Sequence, residues 1–223
     1  MNEIQSILLA LHVGAGFVAL GSGITAAANK IFELSHRWHI VTGRAFFWSM
    51  LGVFGTAVPI SVLTGNVFLL LIALFSFYLA WSGWCYARNR SGLPTAVDWL
   101  RVSAMLAAAL AMAGYGVLLL RAADRNGITL LVFAGIGAGL SLQDLRILRS
   151  GGLKGPARIA KHLTMMLGGT IATITAFLVV NIKFHPAFVV WLAPTVLITP
   201  IIVWMNIRVL RGAPKPAAAG AGG

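Results

Sequence analysis

The chain alternates between long apolar runs and short polar segments. The runs cover residues 4–28, 41–63, 67–87, 99–121, 128–145, 159–181 and 187–208. A helix of about 20 apolar residues crosses the roughly 30 Å apolar core of a bilayer, and each run approaches or exceeds that length. Because unpaired backbone groups are not tolerated in lipid, the runs should be helices. The pattern predicts an all-α, polytopic transmembrane bundle of seven spans, forming one domain over residues 1–211.

Composition supports a membrane protein and excludes a soluble globular domain. Hydrophobic residues make up 59% of the chain and charged residues only 10%, against about a quarter charged in soluble domains. The mean hydropathy is +0.89. The single cysteine, Cys85, cannot form an internal disulfide or a cysteine-based metal site. Residues 212–223, rich in Gly, Ala and Pro, are predicted to be a disordered tail.

The net charge of +12 serves mainly as a topology signal. If the loops after spans one, three and five share a side with the C-terminus, that side carries 14 of the 17 basic residues. These 14 are Lys30, Arg37, Arg44, Arg88, Arg90, Arg101, Arg146, Arg149, Lys154, Arg158, Lys161, Arg208, Arg211 and Lys215. Such an excess predicts a cytoplasmic C-terminus and an outside N-terminus. Because the charges lie between apolar runs rather than on one face, no nucleic-acid partner is expected.

Two patterns predict what the bundle contacts. The basic segment 146–161 could hold anionic lipid head groups through Arg146, Arg149, Lys154, Arg158 and Lys161. Stripes of small residues, such as Gly135 with Gly139 and Gly169 with Thr173, predict close helix packing. The expected partners are therefore the lipid bilayer and either other membrane subunits or a second copy of the chain.

Ionisable residues are scarce between the span ends. Asp98 and Asp144 lie near the ends of their runs, where they are expected to face an interface. Ion-coupled transporters usually keep a charged group at mid-membrane, so this class is disfavoured. The chain also shows no nucleophile–base–acid set of a hydrolase.

Histidine is the remaining candidate for chemistry. His12 lies within span one, on the same helix face as Ala15, Gly16 and Ala19. An imidazole beside small residues leaves room for a flat group, as in haem proteins or a site that handles a quinone. Met112 on span four is a conceivable second ligand. The alternative is a His12 side chain that hydrogen-bonds a neighbouring helix.

His39 and His162 form the one histidine pair at matched depth. His39 opens span two, and His162 lies about one turn inside span six, both toward the predicted cytoplasmic side. The sequence therefore predicts His12, His39 and His162 as cofactor-binding residues, with His39 and His162 as ligands to haem iron. Ser35 is expected to cap the helix that carries His39. Glu33, His36 and His39 offer an alternative metal site, because Glu-x-x-His occurs in di-iron bundles.

Two short motifs resemble a known bacterial family. They are Leu11-His12-Val13-Gly14-Ala15-Gly16 on span one and His39-Ile40-Val41-Thr42-Gly43-Arg44 on span two. The chain is similar here, over about its first 55 residues, to the membrane-protein family catalogued as domain of unknown function 2306. The family pattern usually has a basic residue where this chain has Ile40. The resemblance implies a multi-pass protein of the bacterial inner membrane and no particular activity.

Three functions stay open at the level of sequence. The most specific is a redox membrane protein that binds one b-type haem or handles a quinone. The second is an accessory or scaffold subunit of a larger membrane complex, in which the histidines are structural. The third is an uncoupled permease for a small solute, with Pro59, Pro194 and Pro200 bending two spans. Whether the protein is an enzyme is left open.

Overall fold

The computed structural model describes residues 3–212, and every regular element in that range is an α-helix. The helices are α1 (Glu3–Ile31), α2 (His36–Leu63), α3 (Val67–Arg88), α4 (Ala96–Arg121), α5 (Asn126–Arg149), α6 (Gly155–Asn181) and α7 (Phe188–Arg211). All seven helices found in this range are long and apolar enough to cross a membrane. Each predicted span lies within one helix, except that residue 187 precedes α7. The tail predicted to be disordered lies outside the described residues from position 213 onward.

Local capping fixes where two of the functional helices begin. The Ser35 hydroxyl accepts a hydrogen bond from the Trp38 amide at 3.4 Å, so the predicted cap of α2 is confirmed. Thr95 and Asp98 form a reciprocal capping box at the start of α4. The Asp98 amide donates to the Thr95 hydroxyl at 3.3 Å, and the Asp98 carboxylate accepts from the Thr95 amide at 2.9 Å. The box holds Asp98 in the first turn of α4.

The helices form a bundle in which α3 and α6 occupy the centre. α3 contacts α2, α4, α5 and α6, whereas α6 contacts α1, α3 and α7. The contacts of α1 with α2, α2 with α3, α3 with α6, and α6 with α1 close a ring of four helices. The remaining helices α4, α5 and α7 pack outside this ring.

Phe46 fills the middle of the four-helix ring. Its side chain is buried together with Ala19, Met50 and Ala80. A Cβ atom on Gly23 would lie 2.9 Å from the Phe46 ring, and one on Gly169 would lie 3.1 Å from it. These two glycines therefore make the space that the phenyl ring occupies, as the small-residue stripes predict.

The glycine pair of α5 does not pack in this way. Gly135 and Gly139 are exposed, and an added Cβ atom would meet no atom within 4 Å at either position. The expectation that this pair brings helices together is therefore wrong within the described chain. Both glycines instead lie on an outward face of the bundle.

Candidate functional site

Two groups of polar side chains lie side by side where α3 packs against α6. The Ser82 hydroxyl and the Gly83 carbonyl are consecutive on α3, and Lys161 and His162 are consecutive on α6. His162 bonds to the Gly83 carbonyl, whereas Ser82 and Lys161 belong to a cluster of charges on the other side of the seam. Successive residues of a helix point about 100° apart, so one seam can serve two different sites.

The first feature is the imidazole pair, His39 and His162. Their ring centroids are 6.4 Å apart, and the ring planes meet at 89°. His39 Nδ1 lies 3.0 Å from the Ala26 carbonyl oxygen, and His162 Nδ1 lies 2.8 Å from that of Gly83. A carbonyl oxygen only accepts, so each Nδ1 carries the proton and each Nε2 keeps a free lone pair. This tautomer is the one that metal-ligating histidines adopt.

The spacing of the imidazole pair fits two ligands on one metal ion. Metal–nitrogen bonds of about 2 Å place the two ligating nitrogens about 4 Å apart, and therefore the ring centroids about 6 Å apart. The observed 6.4 Å agrees with that separation, and it agrees equally with a direct edge-to-face contact between the two rings. Over residues 3–212, no group of three or more His, Cys, Asp or Glu side chains could hold a metal ion. Two protein ligands suit a haem, whose porphyrin supplies the other four.

The space beside the imidazole pair is open at Gly43. This residue lies one helical turn after His39 and is therefore on the same face of α2. It is half-buried, and an added Cβ atom would meet nothing within 4 Å. An open, glycine-lined position next to a ligand is what the flat face of a porphyrin needs. Two turns beyond His39, the buried Phe46 closes the interior.

His12 is hydrogen-bonded to α2, as the alternative reading of this residue expects. Its Nδ1 lies 3.0 Å from the Thr56 hydroxyl and 3.2 Å from the Val53 carbonyl oxygen. Met112 lies in a different apolar cluster, among residues of α3, α4 and α5, and is completely buried there. The suggested pairing of His12 with Met112 is therefore wrong.

The Glu33–His36–His39 metal site is not formed. The Glu33 carboxylate pairs with Arg208 at 2.8 Å, and His36 is exposed. The His39 ring instead turns toward α1 and His162. Glu33 therefore links the α1–α2 loop to the end of α7 rather than binding a metal with His39.

The second feature is the Asp144 cluster, which consists of Asp144, Arg101, Lys161, Tyr78 and Tyr86. The Asp144 carboxylate is fully buried and accepts from four donors on α3, α4 and α6. Its Oδ1 lies 2.8 Å from Lys161 Nζ and 3.1 Å from the Tyr86 hydroxyl. Its Oδ2 lies 2.7 Å from Arg101 Nη1 and 3.0 Å from the Tyr78 hydroxyl. The expectation of an interfacial Asp144 is therefore wrong.

Arg101 extends the cluster to Asp98 and Ser82. Arg101 is only 1% exposed; its Nε lies 3.1 Å from Asp98 Oδ1, and its Nη1 lies 2.8 Å from the Ser82 hydroxyl. Asp98 is buried as well, so the expectation that it faces an interface is also wrong. The two carboxylates balance the two cations, which reduces the cost of burying them.

The sequence contained a signal for this cluster. Tyr78, Ser82 and Tyr86 recur every four residues and so form a polar stripe on one face of the otherwise apolar α3. Asp98 and Arg101 are spaced for an i,i+3 ion pair on α4. A polar stripe on a membrane helix indicates a polar partner inside the bundle.

The five basic residues predicted to contact lipid divide into three groups. Arg146, Arg149 and Lys154 are exposed at the end of α5 and in the following loop. Arg158 is half-buried and donates to the carbonyls of Tyr86 and Ala87 at the end of α3. Lys161 is buried and pairs with Asp144, so the prediction that it contacts head groups is wrong.

Comparison with known proteins adds no relative: no family model, curated protein or solved structure matches the chain.

Proposed function

We propose that the protein is a multi-pass redox protein that binds one b-type haem, which His39 and His162 would hold. The single observation that supports this most strongly is the imidazole pair itself. The two rings lie 6.4 Å apart, and each Nδ1 is bonded to a backbone carbonyl, which leaves each Nε2 free to bind a metal. When bound, the haem supplies one-electron chemistry.

The chain contributes orientation and a dry environment. The carbonyls of Ala26 and Gly83 fix the rotation and the tautomer of the two rings, and they raise the basicity of the ligating nitrogens. Phe46 excludes water from the interior two turns beyond His39. Because the ligands come from α2 and α6, haem binding would also fasten two sides of the four-helix ring together.

His12 has a different part in this proposal. It lies toward the other end of α1, where its Nδ1 is held by Val53 and Thr56. Its Nε2 can exchange a proton with a quinone head group at that end of the bundle. The scaffold and permease alternatives gain no comparable feature from residues 3–212.

The test is haem content in matched histidine variants. The protein is purified in detergent from haem-replete cells, and haem is quantified per chain from the visible spectrum. We expect about one haem per chain in the wild type, and loss of most of it in His39→Ala and in His162→Ala. His36→Ala is the matched control, because His36 is exposed at the start of the same helix as His39.

Two results would overturn the assignment. A colourless wild-type protein excludes a haem function altogether. Full haem retention in His39→Ala and His162→Ala, with loss in His12→Ala, would move the site to the other end of the bundle. Gel filtration of each variant separates loss of haem from loss of fold.

A further inference from the structure

A narrow cleft lies between two loops at the end of the bundle that carries most of the basic residues. One loop joins α3 to α4, and the other joins α5 to α6. The Leu153 amide donates to the Gly92 carbonyl at 3.0 Å, which holds the loops together. Asn89, Asp98, Arg101 and Arg158 contribute polar groups to the cleft. The cleft is distinct from the imidazole pair, because its lining includes neither His39 nor His162.

Arg101 leaves an unpaired donor in this region. Its Nε and Nη1 are bonded to Asp98, Ser82 and Asp144, but its Nη2 is buried and has no partner within residues 3–212. A buried donor without a partner destabilises the folded protein. An acceptor in the cleft would remove that destabilisation.

Arg158 provides further donors to the same cleft. Its Nη1 bonds to two carbonyls at the end of α3. In the part of the chain that the structure describes, its Nε and Nη2 have no partner. Two guanidinium groups therefore offer N–H donors to one cleft, and guanidinium is the side-chain group best suited to phosphate oxygens.

The surroundings of the cleft are cationic. Arg88, Arg90, Arg146, Arg149 and Lys154 are exposed on the same helix ends and loops. The acidic residues of these segments, Asp98 and Asp144, are buried and paired with Arg101 and Lys161. The field at the mouth of the cleft is therefore positive and attracts an anion.

We propose that this cleft binds the phosphodiester head group of an anionic glycerophospholipid. The phosphate would lie at the mouth of the cleft, against Arg158, because the whole cleft has room for only about one water molecule. Through that water, Arg101 would reach the phosphate. A lipid is favoured over free phosphate because Leu93, which also lines the cleft, is 56% exposed and offers an apolar contact to an acyl chain. The helices are those of a membrane-spanning bundle, so head groups lie at this level.

The test measures lipid retention by native mass spectrometry after delipidation and titration. Phosphatidylglycerol and phosphatidylcholine are compared on the full-length protein, with inorganic phosphate as a competitor. We expect the wild type to retain phosphatidylglycerol about tenfold better than phosphatidylcholine, because both lipids carry the phosphodiester but the positive field around the cleft repels the choline cation. Millimolar inorganic phosphate should not displace it.

Variants of matched charge locate the site. Arg158→Gln should lose the preference, and Arg158→Lys, which keeps the charge but not the fork of donors, should lose part of it. Arg37→Gln removes the same charge from the exposed first turn of α2, away from the two loops, and should keep the preference.

Three outcomes would overturn the proposal. Equal retention of both lipids by the wild type removes the site, and this comparison does not depend on how any variant folds. Equal losses in Arg37→Gln and Arg158→Gln would show diffuse charge attraction. Displacement of phosphatidylglycerol by inorganic phosphate would exclude a binding site that is specific for lipid. None of these measurements depends on haem.

Discussion

Neutralising Asp144 should destabilise the protein far more than its position near a helix end suggests. The carboxylate is fully buried and accepts from two cations and two phenols. In Asp144→Asn, the buried Lys161 loses the one ion-pair partner that it has within residues 3–212, and an amide N–H group faces hydrogen-bond donors. Removing one partner of a buried ion pair typically costs about 3–5 kcal/mol, because the other charge stays buried. We expect a loss of that size in the free energy of unfolding.

The matched control is the exposed ion pair of the same protein. Glu33 and Arg208 lie 2.8 Å apart, but their side chains are 66% and 52% exposed. Exposed pairs contribute about 0–1 kcal/mol, so Glu33→Gln should change stability very little. Both variants are unfolded in a mixed detergent titration, and their unfolding is followed by circular dichroism. The two ion pairs are thereby compared under one condition.

A double variant tests the cause of the effect. In Asp144→Asn with Lys161→Met, the unpaired ammonium group of Lys161 is removed as well, and Arg101 keeps Asp98 as its partner. We expect the double variant to be more stable than Asp144→Asn alone. Equal small costs for Asp144→Asn and Glu33→Gln, or no recovery in the double variant, would refute the buried cluster.

Other substitutions test the packing and the topology with the same unfolding assay or a reporter. Phe46→Ala should cost about 3–5 kcal/mol, because the ring fills the centre of the four-helix ring; a cost below 1 kcal/mol would contradict that packing. Gly83→Leu should cost about 1–3 kcal/mol, since even a Cβ atom would lie 2.6 Å from Met166 Sδ. Gly139→Leu, on the outward face of α5, should stay within about 0.5 kcal/mol. Reporters at the two termini should lie on opposite sides of the membrane, with the C-terminal one cytoplasmic; termini on one side would refute the seven-span topology.

The helices could be predicted because hydropathy is a local property. Each span is visible as an apolar run, and the depth of His39 and His162 follows from the rise per residue along α2 and α6. Depth alone selected these two rings as a pair, and the structure places them together. Their exact separation could not be predicted, since it depends on which helices become neighbours.

The Asp144 cluster was missed for a related reason. Asp144 and Arg101 lie near the ends of apolar runs, where a charge ordinarily reaches water or head groups. Burial of these residues is decided by contacts among α3, α4, α5 and α6, which are distant in sequence. Lys161 shows most clearly that the sequence does not reveal which neighbouring helix a side chain will face. It precedes His162 by one position, yet it turns to α5 while His162 turns to α3 and α2.

The most direct test of the proposed function is the low-temperature electron paramagnetic resonance spectrum of the oxidised wild-type protein from haem-replete cells. If His39 and His162 both hold the ferric iron, their two nitrogen donors would make it low-spin. We predict a low-spin ferric signal, with its loss in His39→Ala and His162→Ala. A high-spin haem signal, or the absence of haem iron, would contradict ligation by the imidazole pair.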